Sequence, residues 1–287
     1  MSAPLLPRQH FVAAAGNSGW QRLAYLDWGD PGNPDVVVCV HGLTRNAHDF
    51  DVLAAALAPR YRVVCPDVVG RGLSDWLPNP GDYGYLRYLA DSAVLLARIG
   101  VERVHWVGTS MGGILGELIA AMPHNPLRSL VLNDVGARIP VASLRSIASY
   151  VGSPPACVDL DAVAAYLARI HSGFGALTPE QWRTMAGHSA RVDSDGCWRL
   201  RYDPAIGAAL RGPLAEIDLG AVWAAGKLPT LVLRGAESTL LTEAILAEML
   251  AVRPDTRTVT FPACGHAPAL QDATHVAVVR DFLDAQP

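Results

Sequence analysis

The chain has 287 residues, 51% of them hydrophobic and 17% charged, which is enough apolar material for a large buried core and too little charge for a disordered chain. Its formal net charge of −4, with Lys227 the only lysine among scattered arginines, leaves no basic face for nucleic acid. No run of about 18 apolar residues exists to span a bilayer. Pro4, Pro7 and Arg8 break the first segment before an apolar signal core could form, so membrane insertion is not expected and a cytoplasmic location is.

In chain order, "LAYLDWGD" and "PDVVVCVHG" read as two strands joined by a Pro/Gly turn, the second so rich in β-branched residues that both its faces are expected to be buried. "DFDVLAAALAP" has helical spacing and stops at Pro59, "YRVVCPD" is another buried strand, and "YLRYLADSAVLLARIG" is an amphipathic helix closed by Gly100. "RVHWVG", "MGGILGELIAAM" and "SLVLND" continue as strand, helix, strand. Such alternation predicts an α/β fold, a mostly parallel central sheet with helices on both faces. From about Gly136 to Lys227 helical patterns dominate, as in "DLDAVAAYLARI" and "TPEQWRTMAGHSA", with one turn, "DSDG", between short extended runs. The strand–helix rhythm then resumes through "LPTLVLRG", "TEAILAEMLAV", "TRTVTFPACG" and "THVAVVRDFLDA". The expected organisation is one core built from residues 1–136 and 228–287, with residues 137–227 inserted over one end of the sheet.

The five cysteines, Cys39, Cys65, Cys157, Cys197 and Cys264, are odd in number and contain no CxxC pair, which favours a reducing compartment over a disulfide framework. The nine histidines show no HExxH or related spacing. Neither a metal nor another cofactor is expected.

One short motif carries chemistry. Gly108-Thr109-Ser110-Met111-Gly112 is a G-x-S-x-G at the junction of a strand and a helix. The pentapeptide by itself is a frequent coincidence, and its position gives it weight. Small neighbours permit a sharp turn that would hold the Ser110 hydroxyl clear of the sheet, at the positive end of the following helix. A serine needs a base to become a nucleophile near neutral pH. His266, in the Gly-rich "PACGHAPAL" after the last strand, is the late histidine in such a setting. Oxyanion donors are expected from backbone: Leu43 N–H, turned inward by Gly42 at the end of "VVVCV", and Met111 N–H behind the serine. The His41 side chain is expected only to brace its loop.

These motifs together resemble the α/β-hydrolase fold superfamily, in its serine esterase and lipase-like branch. His41-Gly42, "PDVVGRGLSDW" (66–76), the serine turn and Gly265-His266 stand in that family's order, and the likeness spans all but the insertion. The resemblance implies that the insertion is a helical cap over the site. It makes Asp67, Arg71 and Ser74 scaffold. It also implies a third residue, a carboxylate that orients the histidine. The family usually carries it after the strand that here reads "LPTLVLRG", but an Asp is missing there and Ser238 and Thr239 stand in its expected place. The family's second location is the end of the preceding strand, where Asp134 lies. Asp134 is therefore the first choice for the acid and Glu237 the second, with loss of the acid as the remaining case.

The expected activity is hydrolysis of a carboxylic ester of a small to medium hydrophobic molecule through an acyl-enzyme. A lactonase, a carbon–carbon bond hydrolase, or a ligand-binding protein with a decayed triad are the alternatives. Leu144, Phe174, Trp182, Met185 and Trp198 are candidate pocket walls. Arg45 is either a solvated loop residue or a contact for a substrate carboxylate.

Overall fold

The structure, a computed structural model, describes residues 6–286. The first half of the core comprises β1 (Arg8–Gly16), β2 (Gly19–Trp28), β3 (Val36–Val40), α1 (Asp51–Leu57), β4 (Arg62–Pro66), α2 (Tyr85–Ile99), β5 (Val104–Thr109), α3 (Met111–Ala120) and β6 (Leu127–Asn133). The inserted segment holds β7 (Arg138–Ile139), α4 (Val141–Ala148), α5 (Leu160–Ile170), α6 (Pro179–Ser189), β8 (Ala190–Val192), β9 (Trp198–Leu200), β10 (Ile217–Asp218) and α7 (Gly220–Ala225). The core then returns with β11 (Thr230–Gly235), α8 (Glu243–Val252), β12 (Arg257–Phe261) and α9 (Ala273–Asp284).

Eight strands form one sheet in the order β1-β2-β4-β3-β5-β6-β11-β12. The β1–β2 and β2–β4 pairs are antiparallel, and every other pair in the sheet is parallel. Alternation along β3 shows why both faces must be covered. Val36, Val38 and Val40 belong to one apolar cluster, which takes in side chains of α2, α3, α7 and α8. Val37 and Cys39 belong to a second, which takes in α1 and α9. All five β3 residues are buried, so the run of β-branched side chains serves two cores at once.

Helix ends follow their local chemistry. Gly100 closes α2 in the left-handed conformation, at φ 77°. Asp159 caps α5 by accepting from Ala162 N–H, and Thr178 with Gln181 forms a capping box at α6. The "DSDG" turn joins β8 to β9 as a hairpin.

Two features depart from the sequence expectation. The strand β1 had no reading in the sequence; nine-residue pairing with β2 builds it on an edge whose side chains are largely exposed, so its pattern carries little apolar signal. Besides its helices and the hairpin expected around "DSDG", the insertion contains the β7–β10 pair, which had no reading and joins the chain where it leaves the core to the chain where it returns. Strands of two residues are set by tertiary pairing and leave no periodicity to read. Ile139, Leu144, Ile206 and Ile217, all within residues 137–227, line a cavity together with Ser110, which follows the carboxyl end of β5. Among the described residues no helix is long and apolar enough to cross a membrane, and all five cysteines are free thiols.

Candidate active site

Ser110 sits between β5 and α3 at φ 51° and ψ −113°, a strained conformation for a residue with a Cβ. Two glycines make the turn possible. A Cβ on Gly108 would collide with the Gly112 backbone, and one on Gly112 would fall on the Val40 carbonyl of β3. Strand and helix can approach this closely only if both positions lack a side chain. The strain is held by backbone bonds: Ser110 N–H donates to Asn133 O at 3.0 Å, and Gly113 and Ile114 N–H donate to Ser110 O at 2.9 and 3.0 Å.

The structure brings Ser110, His266 and Asp134 together. His266 Nε2 is 3.0 Å from Ser110 Oγ, and His266 Nδ1 is 2.7 Å from Asp134 Oδ2. A carboxylate only accepts, so the proton sits on Nδ1 and leaves Nε2 as the acceptor for the serine hydroxyl. Asp134 follows β6 in the left-handed region at φ 54°, which Asp tolerates better than most residues. It is fully buried, and three donors surround it. Besides the imidazole, Gly235 N–H donates to Oδ1 at 2.8 Å and the Ser238 hydroxyl donates to Oδ2 at 2.5 Å. Leu240 and Leu241 N–H occupy the Ser238 oxygen at 3.2 and 3.0 Å, which leaves its proton for the carboxylate. Glu237, one residue away, is exposed and makes no contact with the His266 ring nitrogens.

Asn133 ties the same corner. Its buried amide donates to Pro268 O at 2.8 Å and to Thr109 Oγ1 at 3.0 Å, linking the tips of β5 and β6 to the loop that carries His266. Asn133 did not stand out in the sequence, and Ser238 stood out only for occupying the place of an expected acid. The sequence signal for Ser238 was indirect, a hydroxyl in the loop where an acid was sought.

Leu43 and Met111, the expected oxyanion donors, line the same cavity as Ser110. Gly42 lies against Ser110, a Cβ there falling 3.8 Å from the serine Cβ. Among the described residues neither Leu43 N–H nor Met111 N–H has a hydrogen-bond acceptor, and Met111 opens α3, where a free N–H is inherent to the helix end. Arg71 supports both residues from behind. Its fully buried guanidinium donates to Leu43 O at 2.8 Å, to Val69 O at 2.7 Å and to Tyr88 OH at 3.0 Å, and approaches Met111 Sδ at 3.6 Å. His41 braces the adjoining turn, accepting from Val68 N–H at 3.0 Å and donating to Gly42 O at 2.7 Å. Burial lowers the His41 pKa to about 4, so the ring is neutral. Asp67 accepts from Ala47 and Leu73 N–H, and Ser74 bridges the Asp67 carbonyl to Ala24 N–H.

Arg45 is not a solvated loop residue. It is 4% exposed and forks onto Asp49 at 2.6 and 3.0 Å. Of the candidate wall residues, Leu144 lines the cavity of about 230 Å³ that holds Ser110. Phe174 and Met185 line a smaller cavity behind Pro268, while Trp182 stacks on Phe174 and Trp198 lies in β9. The apolar character of the insertion marks these as candidate walls but does not show which face of it meets the site. One group of potential metal ligands occurs among the described residues: His48, Asp51 and His188 lie within 4.8 Å of one another. His48 already donates to Asp51 at 2.9 Å, and the group borders a separate cavity that does not include Ser110.

A parallel sheet bearing a serine on a strained strand–helix turn, with an imidazole and a carboxylate from later strand ends, defines a protein of the α/β-hydrolase type. The chain belongs to the alpha/beta hydrolase fold family, which matches it over residues 35–273. It is 42% identical over 285 residues to a 3-hydroxybutyrate-oligomer hydrolase of Cupriavidus necator, a match covering 96% of this chain and 97% of the relative. A 2-(acetamidomethylene)succinate hydrolase of Mesorhizobium japonicum is 27% identical over 278 residues, 96% of each chain. A putative hydrolase from Rickettsia typhi superposes with a TM-score of 0.92 at 30% identity, covering 98% of this chain and 99% of that one. The protein is a hydrolase.

Proposed function

We propose that the protein hydrolyses carboxylic esters by a serine mechanism, with Ser110 as nucleophile, His266 as general base and acid, and Asp134 as the orienting carboxylate. The observation that carries this reading is the hydrogen-bonded chain from Ser110 Oγ through His266 to the buried Asp134, at 3.0 and 2.7 Å. Residues 137–227 act as the cap of the site, and its side chains make the cavity over Ser110 apolar, through Ile139, Leu144, Ile206, Leu210 and Ile217. Such walls favour a short hydrophobic acyl group and exclude bulk water.

The steps follow from the geometry. His266 Nε2 takes the hydroxyl proton as Ser110 Oγ attacks the ester carbonyl, and the Leu43 and Met111 N–H groups stabilise the oxyanion. Collapse breaks the bond to the leaving oxygen, which takes the proton from His266 and departs as the alcohol. A water then gives a proton to His266 and its oxygen to the acyl carbon, releasing the carboxylic acid and restoring Ser110. Asp134 stabilises the imidazolium in both halves. The relative named for 3-hydroxybutyrate oligomers supports esters of short hydroxyacids as the substrate class.

A fluorophosphonate probe and short p-nitrophenyl esters test the reading. Labelling and ester turnover are expected, both lost in Ser110→Ala. An unlabelled wild-type protein without esterase activity would instead describe a ligand-binding protein, and a turnover unchanged in Ser110→Ala would remove the serine from the mechanism.

A further inference from the structure

Ser110 and His266 stand between two cavities of unlike chemistry. The apolar one is lined by Ser110, Leu43 and Met111. The other, of about 300 Å³, is lined by His266 with Ser143, Ser146, Tyr150, His171 and Glu237 around it. Ile147 and Leu240 line both and form their shared wall. Catalytic geometry assigns the two halves of an ester to them. The acyl carbon must meet Ser110 Oγ while its oxygen meets the Leu43 and Met111 N–H groups, which puts the acyl chain on the apolar side. The proton on His266 Nε2 goes to the leaving oxygen, so the alcohol lies on the imidazole side.

The second cavity has one polar wall residue with a ring nitrogen unspent. His171 follows α5, is 7% exposed, and its Nε2 has no hydrogen-bond partner among the described residues. Its ring is held by a stack on Phe174 at 4.6 Å and an edge contact with Tyr150 at 6.0 Å. Burial first, then Arg45 and His266, hold it well below the usual imidazole range, so it is neutral and carries one N–H donor. A buried polar group without a partner is costly, and it is retained most readily where a ligand completes it.

We propose that the cavity beside His266 receives the leaving alcohol, and that His171 donates a hydrogen bond to an acceptor oxygen on it, so the site selects esters whose leaving group is itself a hydroxyacid unit. This rests on the ester-hydrolase reading above. Glu237 on the same wall repels a free carboxylate, so a neutral ester carbonyl, as in the interior of an oligoester, is the preferred acceptor.

The test compares two esters with the same 3-hydroxybutyryl acyl half: the ester of methyl 3-hydroxybutyrate, whose leaving group carries a carbonyl, and the sec-butyl ester, whose leaving group does not. Internal ester cleavage is followed by chromatography for wild type, His171→Phe, which keeps the ring stack, and His171→Gln, which restores an N–H. Wild type is expected to favour the carbonyl-bearing ester by about tenfold in kcat/KM, chiefly through KM. His171→Phe should lose that preference, the two esters then differing by less than about twofold, and His171→Gln should regain part of it. A preference that survives His171→Phe, or an equal loss on both esters in both variants, overturns the inference while leaving the ester-hydrolase reading intact. Failure of wild type to cleave either ester or the p-nitrophenyl esters overturns the reading and the inference together.

Discussion

Ser238 donates its hydroxyl proton to Asp134 Oδ2 at 2.5 Å, the same oxygen that holds His266 Nδ1 at 2.7 Å. The two residues follow neighbouring parallel strands, β6 and β11, paired in register up to Asn133 opposite Leu233. The two strand ends therefore meet on one carboxylate oxygen beside the imidazole. The loop that lacks the usual acid supplies a hydroxyl to the acid next door.

If Asp134 orients the imidazole, Asp134→Asn presents an amide to Nδ1 and favours the wrong tautomer, and kcat for a p-nitrophenyl ester should fall by roughly 10⁴. Glu237→Gln, at an exposed side chain away from the ring nitrogens, should stay within about twofold of wild type in the same assay. Reversed behaviour of the two variants would move the acid to Glu237.

Ser238→Ala removes one donor from the carboxylate and strands the Leu240 and Leu241 N–H groups, so kcat should drop by about tenfold. Introducing the acid where the hydroxyl stands is the sharper experiment. The double variant Asp134→Asn/Ser238→Asp should recover about tenfold or more over Asp134→Asn alone. Turnover no higher than that of Asp134→Asn would mean that the two strand ends are not interchangeable.

Arg71 fastens the peptide after Leu43 and touches the Met111 side chain. Arg71→Lys keeps the charge but cannot reproduce the fork of donors. Its kcat should fall by about tenfold with KM little changed, because a displaced oxyanion donor affects the transition state more than the bound ester. A change confined to KM would contradict that role.

Glu117 lies buried on α3, and among the described residues neither of its carboxylate oxygens has a partner. Burial raises its pKa to about 8, with only Arg253 opposing the shift. The folded state thus keeps a proton that the unfolded chain releases at ordinary carboxylate pH. Unfolded molecules bind fewer protons across that interval, so stability declines as pH rises from the usual Glu range to about 8. Urea midpoints of Glu117→Gln, neutral at every pH, should decline less than those of wild type between those limits. Parallel pH profiles for the two proteins would show that Glu117 is ionised in the fold.

How much was legible in the sequence depended on the range of the interactions involved. β3, α2, α3 and β6 announce themselves because burial on two faces, or on one helical stripe, repeats along the chain. The Gly108–Gly112 turn is legible for a similar reason: its constraint is steric and local. His266 is singled out by its setting and Asp134 by resemblance to a family pattern, with Glu237 as a rival.

What the sequence by itself determined were features whose cause lies within a few residues of their effect: most strand and helix periodicities, the Gly100 helix end and the sharp serine turn. Only the tertiary structure decided that Asp134 faces the imidazole, that Ser238, Asn133 and Arg71 support the site, and that Arg45 is spent on Asp49. Those choices depend on which strand ends lie side by side and which way each loop turns. Sheet order and strand register bring together residues more than a hundred positions apart, as with Asp134 and His266, and no local pattern encodes that distance.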